Sequence, residues 1–330
     1  MVGQEMVGQE THPAVTRVPA PAAGGPGASM DAAVALAPVA EAARSSRAYG
    51  AKGVWRIGWE QFCRHHLALA AVAVISVIAV AVLAAPWLTP YQPTKTDLTA
   101  MLEPPSLAHP MGTDELGRDL LTRILYGGRV SLAVGVLAVA LSVTIGTTVG
   151  ALAGFYGGWL DNVLMRLVDF MISLPSLFVL ILLAALYGTQ PATIVLVIGG
   201  LRWMGTARLV RGVFLSLRQR EFVEAARCLG ASSPRIILRH ILPNAVGPII
   251  VAATLGVATA IIAESSLSYL GLGIQPPMAS WGNMLRNAQD QLMRAPWTAI
   301  FPGLMIFITV LSMNYIGDGL RDALDPRKVT

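Results

Sequence analysis

The chain has 330 residues, 54% of them hydrophobic and only 13% charged, with a mean hydropathy of +0.60. Soluble domains carry about 25% charged residues, so the composition argues against an ordinary soluble protein and points to lipid. A net charge of +5 would suit nucleic acid in a soluble protein, but in a membrane protein it reflects cytoplasmic loops rich in Lys and Arg. The two cysteines, Cys63 and Cys228, have no metal-ligand spacing and read as free thiols.

Residues 1–55 are rich in Ala, Pro, Gly and Ser and open on a duplicated "MVGQEMVGQE". Such a segment buries too little apolar surface to offset its ordering entropy, and reads as a disordered cytoplasmic tail. Residues 56–90 hold the first predicted span, Leu67–Leu88, with its cytoplasmic lead-in. At about 1.5 Å per residue this run covers the ~30 Å hydrocarbon core, and it is too long and too far from the N-terminus for a signal peptide.

Residues 91–128 read as an external loop with an amphipathic helix. Thr113 or Asp114 would cap it, Leu116, Leu120 and Ile124 would form its apolar stripe, and Arg123 and Arg129 follow late, as the helix dipole prefers. A metal site from Asp114, Glu115 and Asp119 is the sharper alternative, although these acids do not share one face.

Residues 129–320 hold five further predicted spans: Val130–Ala153, Phe170–Tyr187, Ala192–Met204, Val246–Leu270 and Ala299–Tyr315. The fourth is long enough only if it continues through Gly205 and Thr206 towards Arg208. In the second, Gly146, Gly150 and Gly154 share a face on which another backbone can approach closely. Six spanning helices put both termini on one side. Eight arginines lie between Arg202 and Arg239 against Glu221 and Glu224, whereas Thr89–Arg129 holds four bases and five acids. The positive-inside rule therefore predicts cytoplasmic termini, including residues 321–330, and a cytoplasmic loop over about 205–245.

That loop contains "EFVEAARCLGASSPRIILRHILPN", residues 221–244. Phe222, Ala225, Ala226 and Leu229 fit one helical stripe, and Glu224 can pair with Arg220 or Arg227. Gly230 is placed to end the helix in a left-handed cap. Ser233 as N-cap and Pro234 at the first helical position predict a second helix through Ile236, Ile237, Ile241 and Leu242, broken by "LPN". A headgroup-bound loop is the plainer reading of this pattern. A DNA-binding helix-turn-helix is disfavoured because both ends are tethered to the membrane.

"EAARCLG", nine residues and "HILP" resemble the EAA loop of binding-protein-dependent ABC importers, with Glu224, Ala225, Ala226, Gly230, Leu242 and Pro243 matching and His240 departing from the usual Ile. "MGTDELGRDLLTRILYGGRVSLAVG", "AESSLSYLGLGIQPPMASWGNML" and "NYIGDGLRDALDPR" are similar to C-type permease subunits of dipeptide, oligopeptide and nickel transporters. The resemblance runs from about residue 55 to the C-terminus. It implies an all-α membrane protein with the type I ABC transporter transmembrane fold, in the bacterial inner membrane. It also implies a homologous second permease, two cytoplasmic ATPases docked on the EAA helix, and an external substrate-binding protein. The expected cargo is a di- or oligopeptide, with a nickel or metal-chelate cargo as the alternative.

No P-loop is present: of three lysines only Lys95 precedes Ser or Thr, in "QPTKTD", with no glycine nearby. ATP and Mg are thus expected on partner subunits, with no cofactor, metal or nucleic acid held by this chain. Glu264, inside the fifth span, is a candidate pathway or structural residue because ionisable groups in membranes are costly. The histidines are too scattered for a nickel site. A secondary transporter would want buried charges across several spans, and an enzyme a constellation of reactive groups; neither pattern is visible.

Overall fold

A computed structural model describes residues 54–324; all but the last two positions of the 1–55 tail, and residues 325–330, lie outside the described residues. Among the described residues the regular structure is helical, and the nearest approach to a strand is one bridge between Thr113 and Asp119. A short helix α1 (Val54–Phe62) leads into α2 (His66–Leu83), whose first turn is capped by the His65 ring, Nδ1 accepting the Ala68 N–H at 3.1 Å. The span expected to reach Leu88 stops at Leu83, followed by the four-residue α3 (Ala85–Leu88). Pro86 is the cause: having no N–H, it cannot bond the Val82 carbonyl four residues back. Arg129 fills the gap, donating from Nε to Val82 O at 2.8 Å and from Nη2 to Leu83 O at 2.7 Å.

The remaining helices are α4 (Leu120–Tyr156), α5 (Gly158–Ser173), α6 (Ser176–Tyr187), α7 (Pro191–Gly200), α8 (Trp203–Leu217), α9 (Glu221–Cys228), α10 (Ser233–Ile236), α11 (Leu242–Tyr269), α12 (Trp281–Ala288) and α13 (Trp297–Leu324). Helices α2, α4 and α13, and α10 continued through a π turn into α11, are each long and apolar enough to cross a membrane. Two bent pairs, α5 with α6 and α7 with α8, bring the number to six if each pair is one crossing.

The third span, expected as one helix over Phe170–Tyr187, is instead broken by 85° between Ser173 and Ser176. Leu174 sits there with extended backbone, φ −77° and ψ 134°, because a residue before proline is pushed out of the α region. The fourth does continue past Gly205 and Thr206, as α8, but after a 42° bend at Leu201 and Arg202.

Lipid gives helices no hydrophobic reason to associate, so close packing must hold them. The glycine face of α4 supplies it against α8. A Cβ on Gly146 would lie 2.6 Å from Trp203 O, one on Gly150 2.4 Å from Ala207 O, and one on Gly154 2.7 Å from Phe214 Cβ. Val134 and Ala138 of α4, Leu180 of α6, Ile194 and Ile198 of α7 and Ile261 of α11 form the central apolar cluster. Two arginines counted as loop charges belong to α8 and pair with α5. Arg211 grips Asp161 through both oxygens, at 2.5 and 2.7 Å, and Arg208 reaches Asp169 at 2.6 Å.

At one end of the bundle, residues 89–119 and 270–296 meet, with Trp297 Nε1 donating to Thr113 O and Asn287 Nδ2 to Glu115. Here the cap of α4 is Asp119, and neither Thr113 nor Asp114 fills that place: Asp119 Oδ2 accepts from the Thr122 N–H at 2.8 Å and its hydroxyl at 2.6 Å. The helix cannot begin earlier, since Asp114 closes 114–118 into a turn by accepting the Leu116 and Arg118 N–H groups. Asp114 also pairs with Arg118 at 2.7 Å and Arg123 at 3.2 Å, and Glu115 with Arg118 at 2.9 Å. These acids are committed to arginines, and Asp119 also to His109 at 3.0 Å, an arrangement at odds with the metal reading. Burial, then the neighbouring Asp114 carboxylate, push the Glu115 carboxyl up. At the other end, Phe62 and Ala68 pack on Ala323, so α1 and the end of α13 lie together.

Candidate coupling site

The 221–244 segment sits at the same end as α1. Arg220 is extended (ψ 147°), turning the chain away from α8 before α9 begins at Glu221. One face of α9, Val223 and Ala226, is buried against Phe155 of α4, Val210 and Phe214 of α8, and Ile236 and Ile241 beyond the turn. The stripe expected from Phe222, Ala225, Ala226 and Leu229 is therefore split. Ala226 turns inward beside Val223, while Phe222, Ala225 and Leu229 face outward, Leu229 at 88% exposure. Ala226 lies within about 60° of both Phe222 and Val223 on the helix, and the apolar cluster of Phe155, Val210 and Phe214 covers the side it shares with Val223.

Glu224 is exposed and, among the described residues, forms no ion pair with Arg220 or Arg227. Arg227 lies instead over the Phe155 ring, 5.7 Å from its centroid. Gly230 has φ +78°, the left-handed conformation its type favours. Its N–H donates to Arg227 O at 2.9 Å and the Ala231 N–H to Ala226 O at 3.0 Å, which together close a Schellman motif.

The restart uses Ser232, and not Ser233, as N-cap: Ser232 is extended (ψ 151°), Ser233 is already helical, and no side chain closes the cap. "LPN" does not break the second helix either. The chain runs from α10 through a five-residue π turn, Ile237–Ile241, directly into α11, where Leu242 is half-buried and Pro243 exposed. Within the turn the Leu242 N–H reaches back five residues to Ile237 O, and Asn244 Nδ2 donates to His240 O at 2.6 Å. Pro243 has no N–H for the Arg239 carbonyl, so the usual ladder could not close here.

The six motif residues thus surround one joint, with Ala226 at its base and Glu224, Ala225, Gly230 and Pro243 on its open side. Glu264 is elsewhere, 22 residues beyond Leu242 along α11 or about 33 Å. It is fully buried among Ser131, Ser265 and Ser268.

Residues 146–330 match the family model described as binding-protein-dependent transport system inner membrane component. The chain belongs to this family. Residues 53–105 match the model for the N-terminal transmembrane domain of oligopeptide transport permease C. The glutathione transport system permease protein GsiD of Escherichia coli O6:K15:H31 is 43% identical over 274 residues, covering 83% of this chain and 90% of that protein. GsiD of Shigella boydii serotype 4 matches equally. A solved methionine ABC transporter, MetNI in inward-facing conformations, is similar at TM-score 0.48 and 20% identity, over 61% of this chain and 96% of that one. The permease is a multi-pass inner-membrane subunit of an ABC importer, of the peptide and oligopeptide branch.

Proposed function

We propose that the permease carries di- or oligopeptides and is driven through the 221–244 joint by an ATPase bound at its open face. The observation that carries this reading is the split of α9. Its inner face is locked to α4 and α8, while Phe222, Ala225 and Leu229, with Leu238 beyond the turn, leave apolar surface uncovered. A helix of eight residues is too short to be stable alone. Held on one side by the spans and open on the other, it is suited to pass a push from a docked protein to α11. Two ATPases, which would bind ATP and Mg, a homologous second permease and an external substrate-binding protein complete the proposed assembly. The relatives' cargo, glutathione, is a tripeptide, which supports a peptide over a metal. The histidines add nothing to the nickel alternative, as His65 caps α2 and His109 faces Asp119.

The reading puts the joint and both termini in the cytoplasm, with residues 89–119 and 270–296 outside. Cys228, exposed on α9, tests this. In a Cys63→Ser background it is expected to react with a permeant maleimide and to resist an impermeant one applied to intact cells. Labelling by the impermeant reagent would invert the topology.

Cargo choice is expected to lie with the binding protein, because the spans offer few convergent polar groups. Replacing that protein by one of different preference should change which peptide enters. Uptake that keeps its original preference after the exchange would place selectivity in the permease.

A further inference from the structure

Glu264 has no part in the joint, yet it is fully buried in α11. Its carboxylate accepts from Ser131 Oγ of α4 at 3.1 Å and from Ser268 Oγ, one turn along α11, at 2.7 Å. Each hydroxyl spends its proton on the carboxylate and is left as an acceptor. Each then holds one backbone N–H of the segment linking α11 to α12: Trp281 N–H donates to Ser131 Oγ at 3.2 Å, and Ile274 N–H to Ser268 Oγ at 3.0 Å. The two relays fasten both ends of residues 274–281. The seat is tight, since a Cβ on Gly282 would lie 2.6 Å from Ser265 Cα, and the Trp281 ring is buried with Nε1 donating to Ile124 O at 3.0 Å.

We propose that Glu264 is a positioning residue of the importer, which fixes the 274–281 segment through Ser131 and Ser268 and thereby sets the surface on which the loaded binding protein lands. The landing role rests on the topology and partners proposed above; the anchoring does not. Glu264 is then no part of the peptide path, which requires access that full burial denies.

The test uses the permease assembled with its partner subunits in nanodiscs and compares Glu264→Gln, Ser131→Ala and Ser268→Ala. Backbone hydrogen exchange is read at Ile274 and Trp281, together with the binding-protein concentration that half-saturates stimulated ATP hydrolysis. Glu264→Gln, which replaces one acceptor oxygen by an NH2 group, is expected to speed exchange at one or both amides about tenfold, the effect of one lost buried hydrogen bond. Ser131→Ala should release Trp281 alone and Ser268→Ala Ile274 alone, so the serine variants carry the test if the glutamine variant fails to assemble. The half-saturating concentration should rise with exchange. Unchanged exchange in the assembled variants overturns the anchoring. Faster exchange with an unchanged half-saturating concentration, or with altered peptide preference, overturns the landing role. Absence of stimulation in the unaltered transporter sinks the importer reading and the landing role together, while exchange still reports the anchor.

Discussion

Gly230→Val is expected to leave every span inserted and to abolish import. Space is not the obstacle, since a Cβ at Gly230 would meet nothing within 4 Å. The obstacle is φ +78°, which costs an L-residue about 1–2 kcal/mol and a β-branched one more. Relief of that strain breaks the bonds from Gly230 to Arg227 and from Ala231 to Ala226. Val223, Ala226 and the Arg227–Phe155 contact then hold α9 without the cap, and the face carrying Phe222 and Leu229 turns away from the proposed ATPase contact. Gly230→Asn should keep most activity, because Asn tolerates the left-handed region. Glu224→Lys, on the same open side, should also block import without unfolding, by reversing a charge at the proposed ATPase contact. The measurements are uptake of a labelled dipeptide and ATP hydrolysis stimulated by loaded binding protein. Normal values in both Gly230→Val and Glu224→Lys would reduce the joint to a passive connector.

Gly150→Ala should be the more damaging change to the fold, although it adds one methyl group. That methyl would lie 2.4 Å from the Ala207 carbonyl oxygen and 2.8 Å from Val210 Cβ. A backbone carbonyl cannot swing aside as a flexible side chain would, so α4 and α8 must separate. Overpacking of this kind costs about 3 kcal/mol, and here it also strains the grip of Arg211 on Asp161. Gly212→Ala is the control: it lies on α8 with nothing within 4 Å of the added atom, and should be neutral or stabilising by about 0.5–1 kcal/mol. Thermal unfolding of the purified permease in detergent should separate the two. Equal midpoints would mean that the α4–α8 approach is looser than described.

The approach at Gly150 was legible in the sequence, because three glycines four apart can share only one helical face. The positions of the spans were legible for an equally simple reason, that apolar runs of this length suit few environments but lipid. The 85° break at Leu174 was signalled by Pro175 but masked by the apolar residues on either side, since hydropathy does not register backbone direction. The split of α9 was not available from periodicity, which gives the angle between residues but not which side a neighbour covers. Val223 and Phe222 are equally apolar, and only the place of Val223 in the buried cluster that includes Phe155 and Phe214 decides between them. At the helix start before span two, Thr113 and Asp114 were the expected caps, and Asp119 takes that place because Asp114 is held by Arg118 and Arg123. The anchor at Glu264 depends on Ser131, 133 residues away, a distance over which a single sequence carries no pairing signal.

The wide turn at Ile237–Ile241 gives the joint a phase as well as a position. A π turn holds one residue more than the α ladder would use, so the segment before it is out of step with α11 by one residue. In an α-helix one residue is worth about 100° of rotation and 1.5 Å of rise. Because Pro243 bars regular α geometry at this point, α9 and α10 stand offset around the axis of α11 by about that angle, and their burial against Phe155 and Phe214 fixes the offset. Length follows the same count: the wide turn absorbs one surplus residue, so removing a single residue between Ile237 and Ile241 would leave Leu229 facing the same quadrant. The joint is keyed like a gear tooth, and its orientation is counted in whole residues.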